Sequence, residues 1–299
     1  MATVELERVC KFYDGVAAVN ELSFSLASGQ VFGLLGPNGA GKTSTIRMTI
    51  GITRPDRGEV RLFGEPFQRR SLDRVGFLPE ERGLYRKATV RENLTLLGQL
   101  AGLSAYEALT RARRWTVRFG IEKWLERRVD EMSKGMQQRV QFIAALAHEP
   151  EFIVLDEPFS GLDPVSANEI KDLILELKGQ GRTIMLSTHR MDQVEKLCDT
   201  ICLIDHGRAL LRGSLREIKA SYGSKFVQID YQGEDRFLDS CPMIESSNVY
   251  GNHAELKLKR DSDPQELMLL AARSARITRF EVMEPSLEQI FIDQVANHA

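Results

Sequence analysis

The chain has 299 residues, 42% hydrophobic and 27% charged, a composition that excludes disorder, collagen-like repeats and disulfide mini-folds and fits an ordinary packed interior. Its 40 basic and 42 acidic side chains leave a formal charge of -2, which disfavours nucleic-acid binding through a broad cationic surface. No apolar run approaches the roughly 18–20 residues that span a bilayer, and MATVELERVCKFY lacks the apolar stretch of a secretory signal, so a cytosolic chain is expected.

The length exceeds one hydrophobic core and predicts a large domain followed by a smaller one. Cys10, Cys198, Cys202 and Cys241 are scattered, read as reduced thiols, and form no paired ligand pattern for zinc. In chain order, residues 3–12 and 22–26 alternate apolar with polar side chains and predict two antiparallel strands with one solvated face. Residues 30–35, QVFGLL, then read as a strand buried on both faces. It ends in a glycine-rich turn, and TSTIRMTI after Lys42 carries helical spacing.

From residue 89 to 148 the pattern is helical, with Thr89 and Glu92, and Ser104 and Glu107, at capping-box spacing. Arg111, Arg113, Arg114, Arg118, Arg127 and Arg128 fall here, interleaved with Glu107, Glu122 and Glu126, which predicts an ion-paired helix face rather than a nucleic-acid surface. Apolar runs at 152–155 and 183–186 flank a helix opened by Asp163 and Pro164, implying a parallel crossover. Strands at 200–204 and 208–212 and a helix capped by Ser214 close this part. Beyond Tyr222 and Gly223, strands at 225–231, 244–250 and 255–259, a helix opening at Asp263-Pro264, a strand at 277–282 and a helix capped by Ser286 predict a small α+β domain.

Residues 36–43, GPNGAGKT, follow a predicted strand, precede a predicted helix and fit the phosphate-loop pattern. Gly36, Gly39 and Gly41 let backbone N–H groups approach phosphate oxygens, Lys42 meets the β and γ phosphates, and Thr43 meets magnesium. IVLDE at 153–157 ends a buried strand in two carboxylates. Asp156 is expected to hold magnesium and Glu157 to deprotonate the attacking water.

With these motifs in that order, the chain resembles the ATP-binding cassette family over residues 1 to about 215. MSKGMQQRV at 132–140 resembles the family signature LSGGQ, with Ser133 and Gly135 kept and Met132, Lys134 and Met136 departing from it. SGLDP at 160–164, with Asp163, resembles the D-loop, and His189 in LSTHR resembles the histidine that meets the γ phosphate. Tyr13 resembles the aromatic that stacks on adenine, with neighbouring Phe12 its rival. FLPEERGLY occupies the Q-loop place but carries Glu80 where the family has Gln, and a carboxylate there predicts a stronger demand for magnesium.

The resemblance implies an α/β P-loop NTPase core, a RecA-like mixed sheet with an antiparallel β subdomain, in residues 1–220, with a helical insertion at about 86–150 and an accessory α+β domain at 221–299. It implies ATP and Mg2+ as cofactors, bound along Gly36, Pro37, Asn38, Gly39, Ala40, Gly41, Lys42, Thr43 and Ser44, with Lys42, Glu157 and His189 catalytic and Thr43, Asp156 and Glu80 toward the metal. Ser133 and Gly135 would serve the nucleotide of a second copy in a head-to-tail dimer, and Asp163 of the D-loop is counted with the nucleotide-binding residues. A separate membrane permease, contacted near residues 82–87 from the cytoplasmic face, is the implied partner, no nucleic acid is, and the ending MEPSLEQIFID resembles exporters rather than importers. Soluble relatives acting on ribosomes or DNA carry two cassettes or an inserted coiled coil, and neither pattern is present.

Overall fold

A computed structural model of the protein describes residues 2–81, 83–222, 226–233, 238, 241–259 and 262–298. The expected strand start at Lys225, the Gly223 boundary and the partner-facing Arg82 lie outside the described residues. The chain divides into two units, with the break between Ser214 and Leu215. A boundary was expected near 220; the helix Leu215–Ser221 belongs to the second unit instead.

The first unit opens with β1 (Ala2–Tyr13) and β2 (Val16–Ala27), an antiparallel pair whose turn, Asp14 and Gly15, has both φ angles positive at 49° and 81°. With β4 (Arg57–Leu62) and β5 (Glu65–Pro66) they form a sheet of order β2-β1-β4-β5. The main sheet contains β3 (Val31–Leu35), β6 (Val75–Leu78), β7 (Phe152–Asp156), β8 (Thr183–Thr188), β9 (Thr200–Asp205) and β10 (Arg208–Ser214), in the order β10-β9-β3-β8-β7-β6. Only β10 runs antiparallel to its neighbour. Every residue of β3, β7 and β8 is buried, as apolar runs sandwiched on both faces require.

Three strands, β4, β5 and β6, were not anticipated. β4 offers only Val60 and Leu62 as inward apolar positions, with Gly58 before them, β5 has two residues and β6 has four including Gly76. The two sheets share one core: Val4, Leu22 and Leu26 cluster with Phe32, Leu34, Val154, Met185 and Ile204 and with Ile46 and Met48 of α1 (Lys42–Thr49). Phe24 and Phe32 stack across it with ring centroids 4.8 Å apart.

The helical layer comprises α2 (Val90–Leu100), α3 (Ala105–Arg118) and α4 (Lys134–Leu146). Both expected capping boxes form: Thr89 and Ser104 accept the N–H of Glu92 and Glu107, whose carboxylates accept the Thr89 and Ser104 N–H in return. Each contributes about 1 kcal/mol to starting its helix. Arg111, Arg114 and Arg118 are ion-paired, but across elements rather than along α3. Arg111 and Arg114 meet Glu149 at 3.7 and 2.8 Å, and Arg118 meets Glu176 of α5 (Pro164–Gly179). A short α6 (Met191–Leu197) follows β8.

The second unit contains α7 (Leu215–Ser221), β11 (Phe226–Gln232), β12 (Ile244–Tyr250), β13 (His253–Leu258), α8 (Pro264–Ser274), β14 (Arg276–Met283) and α9 (Leu287–His298). Its antiparallel sheet has the order β12-β13-β11-β14. Val227, Ile229 and Tyr231 of β11 pack with Leu256 of β13 and Leu267 of α8 into a separate core.

Candidate active site

The strand order decides which side chains meet. Because β6, β7, β8 and β3 are adjacent and parallel, their C-terminal ends line up Glu80, the pair Asp156 and Glu157, His189, and the loop from Gly36 to Thr43 along one edge of the sheet. Register brings Leu35 opposite Thr188 and Asp156 opposite Ser187.

In the loop, Gly36 and Gly41 have φ of 152° and 103°, and a Cβ would stand 2.2 Å from the Ile204 carbonyl oxygen and 2.4 Å from that of Ala18. The glycines are thus demanded by the protein's own backbone, beyond the phosphate clearance expected from sequence. Gly39, with φ of 81°, faces open space. Among the described residues no acceptor engages the N–H groups of Gly39, Gly41, Lys42, Thr43 and Ser44, whereas Ala40 N–H closes onto Pro37 O at 3.2 Å. A row of free N–H groups opening into a helix N-terminus is a ready anion cradle.

Lys42 is 7% exposed and bends back on the loop, donating to Gly36 O at 2.7 Å and Pro37 O at 3.1 Å, with Glu157 Oε1 at 3.8 Å. Burial lowers its pKa, and the charges of Glu157, Asp156 and Glu80 oppose that shift. Asp156, 2% exposed, is pushed the other way: burial raises its carboxyl, against hydrogen bonds from Ser187 and Thr43 and the charge of Lys42, while Glu157 adds to the rise. Two acids and one ammonium share this buried corner, so it carries excess negative charge that a cation would offset.

Glu157 has φ of 49°, a left-handed conformation costing ~1–2 kcal/mol for a residue with a side chain. Its N–H donates to Ser187 O at 3.1 Å and Ser187 Oγ at 3.2 Å, which hold the turn, and Oε1 accepts from His189 Nδ1 at 3.0 Å. That bond places a proton on Nδ1 of His189. Neither contact was foreseen: Ser187, which also donates to Asp156 Oδ1, is the site residue that sequence reasoning missed. Its only signal is its place in the LST run just before His189.

Three expected residues stand apart. Ser133 caps α4, its Oγ accepting from Met136 N–H at 3.3 Å, and Gly135 follows in the first turn. The Asp163 carboxylate caps α5, accepting from Val165 N–H and Ser166 N–H at 3.0 Å each and from Ser166 Oγ at 2.7 Å. No hydrogen bond or ion pair among the described residues joins these to the loop or the acidic pair. Tyr13 is 42% exposed at the end of β1, its ring 5.7 Å from the Lys11 ammonium, and Phe12 is 38% exposed beside it.

With this geometry in view, residues 19–160 match the model of the ABC transporter family and residues 213–295 that of the C-terminal domain of DrrA1-3-like ATP-binding proteins. The ABC transporter ATP-binding protein YhaQ of Bacillus subtilis strain 168 is 40% identical over 290 residues, 97% of each chain. This chain belongs to the ABC transporter family, as an ATP-binding subunit. The Nod factor export ATP-binding protein I of Rhizobium sp. strain N33 is 36% identical over 295 residues, 97% of this chain and 95% of that one. A solved ATP-binding subunit of an ABC transporter superposes with a TM-score of 0.68 at 31% identity, covering 74% of this chain and 93% of its own. The family binds and hydrolyses ATP, and the P-loop NTPase fold expected from the motifs is the fold of this subunit.

The donor set fits that nucleotide: free N–H groups and a buried ammonium for a triphosphate, a hydroxyl and carboxylates for a hard cation. Among the described residues no helix is long and apolar enough to cross a membrane.

Proposed function

We propose that this ABC transporter subunit hydrolyses ATP with magnesium at the edge of β3, β8 and β7, as half of a head-to-tail pair that drives a separate membrane permease in export. The observation that carries the reading is the convergence of the phosphate loop, Asp156, Glu157 and His189 on one sheet edge, with Lys42 and Glu157 3.8 Å apart and His189 donating to Glu157.

In this reading residues 36–44 and Lys42 grip the triphosphate, and ligand oxygens replace Gly36 O and Pro37 O as the partners of Lys42. Thr43, Asp156 and Glu80 are the residues that would hold magnesium, which when bound supplies charge neutralisation of the phosphates. Glu157 takes the proton of the attacking water, and His189 fixes the orientation of that carboxylate; Nε2 donates to the γ phosphate when the ring is an imidazolium, both nitrogens then being donors. Tyr13, exposed at the end of β1, stacks on adenine.

The separation of Ser133, Gly135 and Asp163 from the loop within one chain supports a second copy as the owner of the nucleotide they serve. Likeness to Nod factor export proteins supports export, with the subunit working at the cytoplasmic face of the membrane. The second unit acts as an accessory domain. Two measurements test the reading together: ATP turnover with and without magnesium, and recovery of a multi-span protein when the chain is purified from membranes. A pure protein that neither binds nor splits magnesium-ATP, alone or beside its permease, refutes it.

A further inference from the structure

Away from the sheet edge, a cleft of about 400 Å3 opens between α3, the end of α4, β7 and the turn after α5. Small-ligand sites start near this size. Its floor is apolar, built by Leu146, Ile153 and Leu177, and Arg114, Trp115, Arg118 and Arg182 stand around it with Glu149 as the one acid in the lining. The polar groups there are incompletely used. Trp115 is 8% exposed and its indole N–H meets no acceptor among the described residues. An unanswered buried donor costs about 1–3 kcal/mol.

Arg182 donates from Nη1 to the carbonyl oxygens of Glu149 and Pro150, both at 3.0 Å, and has no carboxylate within ion-pair distance among the described residues. Arg114 uses Nη2 on Glu149 at 2.8 Å, and its other N–H groups meet no acceptor among the described residues. Arg118, by contrast, is occupied with Glu176 and lies over the Trp115 ring, 5.1 Å from it. Glu149 itself has φ of 59° in the turn between α4 and β7, a strained conformation of the kind that gathers at ligand sites.

We propose that this cleft binds a small organic anion with a flat apolar body. The body lies on Leu146, Ile153 and Leu177, and its oxyanion accepts from Arg114 and Arg182. The chemistry is shared by carboxylates and phosphate esters. This inference does not rest on the hydrolytic reading, because its readout is binding at residues remote from the phosphate loop in sequence and in contacts.

The test uses the full chain and 19F NMR with three probes: 6-fluoro-2-naphthoate, 6-fluoro-2-naphthyl phosphate and the neutral 6-fluoro-2-naphthalenemethanol. Saturable line broadening is expected from one or both anions, with the alcohol weaker by about tenfold. The preferred head group distinguishes carboxylate from phosphate ligands. Replacing Arg114→Gln together with Arg182→Gln weakens the anion by about tenfold, and Arg182→Gln alone by roughly threefold to tenfold. No saturable binding of either anion, equal binding of the alcohol, or wild-type affinity in the variants overturns the proposal. Should the double arginine variant lose its native circular dichroism, Arg182→Gln alone decides.

Discussion

In the first unit Lys42, Asp156 and Glu157 are at most 7% exposed and crowd the ends of β3 and β7, whereas no charged side chain among the described residues of the second unit is buried. There the charges sit at open sheet positions: Asp230 pairs with His253 and Arg279 with Glu281, all partly or fully exposed. Both units bury apolar residues well, so the difference is not one of core quality. It is that one unit tolerates desolvated charge, which destabilises a fold unless a bound group answers it. Uncompensated burial of charge thus marks the working part of the molecule.

The largest effect follows from removing the acid that carries the chemistry. Glu157→Gln should lower ATP turnover by about 10²–10⁴, or ~3–5.5 kcal/mol in barrier, while nucleotide binding survives. Parallel turnover and nucleotide-binding assays check it, and a variant with normal turnover breaks the link between buried charge and function. The matching blow to the second unit is Tyr231→Ala, which empties a site 2% exposed and should destabilise that core by about 3–5 kcal/mol. Hydrogen exchange should locate the loss in β11 and β13, with nucleotide affinity changed less than about twofold. A large loss of affinity would show that the two units do not divide structure from chemistry.

A smaller effect has the opposite sign. Burial holds the Asp156 carboxyl above its ordinary value, so protonation favours the native state and stability contributed by this group grows as pH falls through the folded pKa. At neutral pH without metal or nucleotide, the ionised form costs stability. Asp156→Asn should therefore raise the neutral-pH melting free energy by ~1 kcal/mol, with the gain fading toward pH 4, as thermal denaturation from pH 4 to 8 would reveal. A variant less stable than the parent at pH 7 would mean that the Lys42, Ser187 and Thr43 contacts outweigh desolvation. The smallest effect concerns Glu80, whose charge acts on Lys42. Glu80→Gln should raise the magnesium needed for half-maximal turnover by roughly threefold to tenfold, and an unchanged titration removes Glu80 from the metal's surroundings.

Much of the cassette was legible because its signals are local. GPNGAGKT carries its own turn and helix start, and Thr89, Ser104 and Asp163 announce helix caps within four residues of the groups they satisfy. The strands β4, β5 and β6 were missed, since two inward apolar residues in β4, a two-residue strand and a four-residue strand with a glycine are too few to show a clear period. Arg111, Arg114 and Arg118 of α3 were rightly expected to be ion-paired, yet their partners Glu149 and Glu176 lie 35 residues or more away in sequence.

What the sequence determined by itself is the chemistry available: a phosphate loop, an acidic pair ending one apolar run and a histidine following another. Which of these groups touch was decided by the β6-β7-β8-β3 order and its register, which bring Ser187 against Asp156 and His189 against Glu157. The physical reason is that backbone pattern is written over spans of a few residues, whereas pairing between parallel strands is set by long crossovers and by packing of the whole core.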